Sequence, residues 1–82
     1  MEIKAHKFAR AKDYDEYLKV ISEYPEVICE ETHQYLLLHC SDLIKNGHDE
    51  LSKKYLMGAC ITNYCTMLGS NGVDLFFRRF CF

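Results

Sequence analysis

Only one proline, Pro25, interrupts the 82 residues, and no apolar run approaches the ~20 residues that a membrane-spanning helix needs. A membrane span is therefore not expected. The N-terminus has no signal-peptide hydrophobic segment, so the cytoplasm is the expected compartment. Neither sign of charge dominates: Lys and Arg number 10 against 12 Asp and Glu, for a formal net charge of −2. The basic residues Lys4, Lys7, Arg10 and Lys12 form a short local run rather than the footprint of a nucleic-acid binder. Glycine-rich phosphate loops, Ser-His-Asp arrangements and paired-carboxylate signatures are missing, and with them the usual grounds for expecting an enzyme or a cofactor. Five cysteines make an odd set, several of them inside helical patterns. Buried free thiols in a reducing compartment are a better reading than a disulfide framework.

What is present is ordinary globular composition, 49% apolar and 27% charged, in a chain long enough for one small domain that buries about 60% of its unfolded surface. Residues 1–12 read as a basic N-terminal arm, extended, with Phe8 as its one large anchor. Asp13 with Glu16 suits the start of a helix, and Tyr14, Tyr17, Leu18 and Ile21 share one face of it. Pro25 ends that helix and can occupy the first turn of the next.

From Pro25 to about Lys45 the spacing predicts a long central helix that stops at Asn46-Gly47. Ile28, Thr32, Tyr35, Leu36, Cys40 and Leu43 form its inward stripe, and Leu36-Leu37-Leu38 implies neighbours on two sides. A third helix runs from His48 or Asp49 to Leu68, with Leu56, Met57, Cys60, Ile61, Tyr64, Met67 and Leu68 as its expected core side. Leu51, Tyr55, Gly58 and Thr62 fall on a neighbouring stripe, either a partner patch or a surface covered by the terminal helix or the arm. Ser70-Asn71-Gly72 reads as a turn, Asp74 as an N-cap, and Phe76, Phe77 and Phe80 as part of a short last helix. The class is all-α: residues 13–82 make a small bundle of about four helices around the long central one.

Metal chemistry has one candidate set, Cys29 and His33 four apart on a helix, with His39 and Cys40 further along. Paired Cys-X2-4-Cys or His-X3-5-His loops, the usual mark of structural zinc, are absent, so no metal is expected. Cys29 near a helix start is a poor nucleophile candidate too, because Glu30 and Glu31 oppose a thiolate beside them.

The most specific string is Cys29-Glu30-Glu31-Thr32, then Tyr35-Leu36, then Cys40-Ser41-Asp42-Leu43. It resembles the central-helix signature of the middle domain of the cell division cycle protein 37 co-chaperones, which bring protein kinases to heat-shock protein 90. Tyr14-Asp15-Glu16, Ser22-Glu23-Tyr24-Pro25 and Phe77-Arg78-Arg79-Phe80 extend the resemblance in order along nearly the whole chain. It implies a non-catalytic binding module that engages the N-terminal domain of the chaperone and slows its ATPase, with client kinases held by other parts of such a parent protein.

In that family the helix after the central one presents an Ala-Leu-X-X-Gln patch to the chaperone, and an arginine from the preceding arm reaches toward its ATPase site. Ungapped superposition of the signature sets Leu51 at the patch leucine, with Tyr55 flanking it and Arg10 or Lys12 as the cation. Glu50 and Lys54 stand in place of the small and amide residues, and Arg10-Ala11-Lys12-Asp13 in place of Met-Leu-Arg-Arg. The resulting site set is Leu51, Lys54, Tyr55, Arg10 and Lys12. Two rival readings stay open: a structural or self-associating homo-oligomeric domain that has lost this interface, and a small metalloprotein through Cys29, His33 and His39.

Overall fold

The computed structural model describes residues 2–80, apart from the side chain of Glu2; Met1, Cys81 and Phe82, the ends of both expected segments, lie outside the described residues. Five α-helices follow one another: α1 (Glu2–Ala9), α2 (Tyr14–Glu23), α3 (Glu30–Lys45), α4 (Asp49–Leu68) and α5 (Asn71–Phe80), with a 3-10 turn at Pro25–Val27. The all-α expectation holds, with one helix more than expected.

That extra helix is α1, where an extended arm was anticipated. Ala5, Phe8 and Ala9 recur at helical spacing and are all fully buried, while the lysines that make the segment look like a solvated arm lie on its other sides. Eight residues are too few for a helix to persist alone, so its order comes from docking. Lys4 helps to hold it by pairing with Glu26, and this contact keeps the Glu26 carboxyl below its usual range. Lys4 and Lys7 also lie over the Tyr24 ring, at 5.3 and 5.2 Å from its centroid.

Asp13 caps α2 as its sequence suggests, accepting the Glu16 amide at 3.0 Å, and Glu16 in return accepts the Lys12 amide at 2.6 Å. Tyr17, fully buried, meets Phe8 of α1 and Phe77 of α5 edge-on, at ring distances of 5.1 and 5.8 Å. This aromatic contact ties the first, second and last helices together.

The central helix is shorter than expected. Pro25–Val27 forms a separate 3-10 turn, and Cys29 is extended at the N-cap position of α3. Burial explains the break. Val27 and Leu36 are both fully buried, yet nine residues apart they would face opposite sides of one continuous helix at about 100° per residue. The break brings both inward. Thr32, Leu36, Cys40 and Leu43 then make the buried stripe, with α4 and α1 against it, while Leu38 remains 67% exposed. At the other end Gly47, at φ +80°, lets the Gly47 and His48 amides reach back to Ile44 and Leu43 carbonyls at 3.1 and 2.8 Å. The chain reverses into α4.

Helix α4 corrects part of the expected core face, although Ile61 is fully buried as expected. Tyr55, Gly58 and Thr62, read as an off-centre stripe, are buried, whereas Leu56, Met67 and Leu68, read as core, are 47, 74 and 44% exposed. Small and self-satisfied residues decide the orientation. A methyl group on Gly58 would sit 3.1 Å from the Ala9 Cα, so α1 crosses α4 nearly backbone to backbone there. Thr62 and Ser52 are polar, but each returns its hydroxyl proton to a carbonyl of its own helix, Gly58 at 2.8 Å and Asp49 at 2.6 Å. Burying them leaves no donor unmet.

The last helix starts at Asn71 rather than after a turn ending at Gly72, and Asp74 lies inside its first turns, paired with Arg78 at 3.0 Å, instead of capping it. Gly72 is what permits the early start. A Cβ there would stand 2.6 Å from the backbone of Tyr64 and Cys65, so α5 folds directly onto the end of α4.

Two substitutions test this packing. Gly72→Ala should lower stability by about 1–3 kcal/mol, because the helix-propensity gain of alanine is outweighed by a clash with backbone that cannot step aside. A urea midpoint at or above that of the native chain would contradict the close approach. Asp13→Ala should cost about 1 kcal/mol in the same titration through loss of the α2 cap.

Candidate functional site

The five residues that the sequence singles out fall into two groups. Leu51, Lys54 and Tyr55 lie in the first half of α4, just beyond an N-terminus where Asp49 and Glu50 complement the helix dipole. Leu51 is half-buried and Lys54 exposed, so both offer surface to a partner. Tyr55 does not. It is 0% exposed, and its expected role as a flanking contact is corrected to one behind the surface: its side chain is turned into the seam between α1, α3 and α4.

Arg10 and Lys12 follow the end of α1, and both are exposed. Arg10 joins the α4 group through Tyr55: its Nε–H donates to the phenol oxygen at 3.1 Å, and its guanidinium carbon lies 6.0 Å from the ring centroid. Tyr55 thus fixes the stem of a cation whose remaining donors can serve a ligand. The backbone of Lys12 is held by Glu16, on the α2 side.

Sequence reasoning missed the supporting residues. His6 of α1 sits between the phenols of Tyr35 and Tyr55, and His39 packs against all three rings. The signal was there as two pairs four residues apart, Tyr35 with His39 on α3 and His6 of α1 with Arg10 just past its end. Nothing in either pair says that the helices meet.

The metal candidates are engaged elsewhere. His33 donates from Nδ1 to the Ala59 carbonyl at 2.7 Å, the Cys29 thiol lies 3.3 Å from the Thr32 hydroxyl, and His39 belongs to the aromatic group around His6. Among the described residues no three His, Cys, Asp or Glu side chains are grouped to hold a metal ion. All four described cysteines are free thiols. Burial pushes the Cys60 thiol up and the Cys65 thiol to about 11, the opposite of what a nucleophile needs.

Two open grooves accompany this surface. One, of about 580 Å3, runs between α1 and α2, with Ile3 and Val20 among its apolar walls and Lys7, Arg10, Lys19, Glu16 and Glu23 among its charged ones. The other, of about 420 Å3, lies on the outer side of α4 and α5 between Leu56, Met57, Tyr64 and Phe80. No helix among the described residues is long and apolar enough to cross a membrane.

Comparison with known proteins agrees with the helical signature. The family described as the Cdc37 Hsp90 binding domain matches residues 7–81. The Hsp90 co-chaperone Cdc37 of Schizosaccharomyces pombe is 29% identical over 68 residues, which cover 82% of this chain and 15% of that relative. The matched stretch is thus a small part of the length of its relative. No solved structure matches the chain. With nearly every residue inside the family match and the signature carried on α3, the chain belongs to the Cdc37 Hsp90-binding domain family.

Proposed function

We propose that this chain is a non-catalytic module that binds heat-shock protein 90, engages its N-terminal domain and slows its ATPase. The observation that carries the proposal is the family match over residues 7–81, and the local geometry supports it. Leu51 is an apolar side chain left half-exposed near the start of α4, and Arg10 is held one helical turn further along α4, on Tyr55. An apolar anchor beside a braced guanidinium suits a partner surface with a small hydrophobic recess and an acidic or phosphate-bearing edge.

In this reading Leu51 is the anchor and Lys54 and Arg10 are the polar contacts, with Lys12 a second cation further out. Tyr55 acts as the positioning residue for Arg10 rather than as a contact. A patch of this size gives a modest affinity, since small interfaces sit at the weak end of specific association. A cytoplasmic setting goes with the same reading.

The rival scaffold reading has its own observation: Leu56, Met67 and Phe80 expose apolar surface around α4 and α5, which would serve association between copies. Sedimentation over a concentration series separates the two, because a stable dimer without chaperone binding favours the scaffold.

Calorimetry with the chaperone's N-terminal domain tests the primary reading. The native chain should give measurable heat at roughly 100 μM, and Leu51→Asp should weaken binding by about tenfold or more, which is about 1.4 kcal/mol. No heat from the native chain at that concentration would sink the proposal. Arg10→Ala should blunt the arrest of ATP turnover in a steady-state assay with full-length chaperone, and full arrest by that variant would remove Arg10 from the site.

A further inference from the structure

The apolar groove on the outer side of α4 and α5 adjoins a polar one. Leu56 and Met57 line the apolar part together with the rings of Tyr64, Phe76 and Phe80, whose centroids lie 5.0 to 6.4 Å apart. Its volume of about 420 Å3 is that of a site for large apolar groups. His33 and Asn63 line both this groove and a smaller one of about 290 Å3, to which Glu30, Gln34 and Thr66 also belong. The two grooves therefore meet at that pair.

In the polar part the donors are already committed within the chain. His33 donates from Nδ1 to the Ala59 carbonyl at 2.7 Å, which leaves Nε2 of the neutral ring as an acceptor. Thr66 gives its hydroxyl proton to the Asn63 carbonyl at 2.7 Å, so its oxygen is left to accept. Glu30 is exposed, accepts only, and meets no cation among the described residues. Just the Gln34 and Asn63 amides can turn either way. A ligand that suits these groups brings donors and positive charge, and an arginine side chain, planar with five N–H donors and no acceptor, has that chemistry.

We infer that the joined grooves bind a segment of a partner protein in which an arginine lies beside large apolar side chains. The arginine meets Glu30, His33 and Thr66, and the apolar groups enter between Leu56, Met57 and Phe80. Two features oppose a cation here, and both are weak. The partial positive charge at the start of α3 is countered by Glu30 and Glu31 in its first turn. Lys53, ten positions before Asn63 on α4, stands about 15 Å away, beyond the screening length, and is paired with Glu50 at 3.4 Å.

This surface is separate from the one proposed for the chaperone. Cys60, in the groove, follows Leu51 by nine positions on α4, which places the two about 180° apart around the helix. Both faces are thus open to partners at the same time.

An amide-resolved NMR titration of the whole chain with the blocked tripeptide acetyl-Leu-Phe-Arg-amide tests the site. At about pH 8, where imidazole is neutral, the Cys60, Asn63 and Tyr64 amides should shift saturably with a dissociation constant of about 1 mM or tighter. The matched acetyl-Leu-Phe-Glu-amide should bind about fivefold more weakly. Glu30→Gln, at an exposed position, should weaken the arginine peptide by about threefold and bring the two peptides close in affinity. The same variant should leave the heat of chaperone binding unchanged, which keeps the two sites distinguishable. Leu56→Asp should remove the saturable shifts with both peptides while the amide spectrum stays that of a folded chain. No saturable shift at about 5 mM peptide overturns the inference, as does equal affinity for the two peptides or an unchanged affinity in Glu30→Gln. Groove amides that shift when the protein alone is diluted overturn it as well, since they assign the groove to a second copy.

Discussion

Helix α4 has to be covered by α1, α3 and α5 at once, and its small residues make that geometry available. Gly58 admits the backbone of α1 at Ala9, and Gly72 of α5 sits on the carbonyl end of α4. A Cβ at Gly72 would clash with backbone outright, and one at Gly58 would press on Ala9. Once these contacts are made, the face of α4 that carries Tyr55, Ala59 and Thr62 is closed to water, and the apolar residues Leu56, Met67 and Leu68 are turned outward. Close approach, rather than the greatest hydrophobic bulk, settles which side of this helix is interior.

The same constraint creates the site. With Tyr55 committed to the interior, its phenol needs hydrogen-bond partners there, and His6 of α1 and Arg10 just after it supply them. Arg10 is thereby drawn to the part of α4 that begins at Leu51. The proposed surface of Leu51 and Arg10 is therefore a consequence of how a buried hydroxyl is satisfied.

The candidate site was legible in the sequence only in part. Leu51 is a candidate because the signature on α3 sets the register into α4 across the short connection Asn46-Gly47-His48. The spacing of Tyr55 from Leu51 suggests a shared outer stripe, but the residue turns inward. His6 and His39 were passed over because each looks polar and local on its own helix. Their meeting depends on contacts between residues 29 to 49 positions apart, which no local pattern encodes.

What the sequence by itself determined is the local backbone: the Asp13 cap, the Gly47 reversal, the all-α class and the family signature on α3. These are legible because capping and reversal depend on residues within one helical turn, whose chemistry is adjacent in the chain. Only the tertiary structure decided the helicity of α1, the break before Cys29, the inward face of α4 and the joining of Arg10 to Tyr55. An eight-residue helix gains its order from docking, Val27 and Leu36 cannot both be buried on one continuous helix, and α4 carries apolar residues on more than one side. In each case several local arrangements satisfy the sequence, and the one adopted is chosen by neighbours that are distant along the chain.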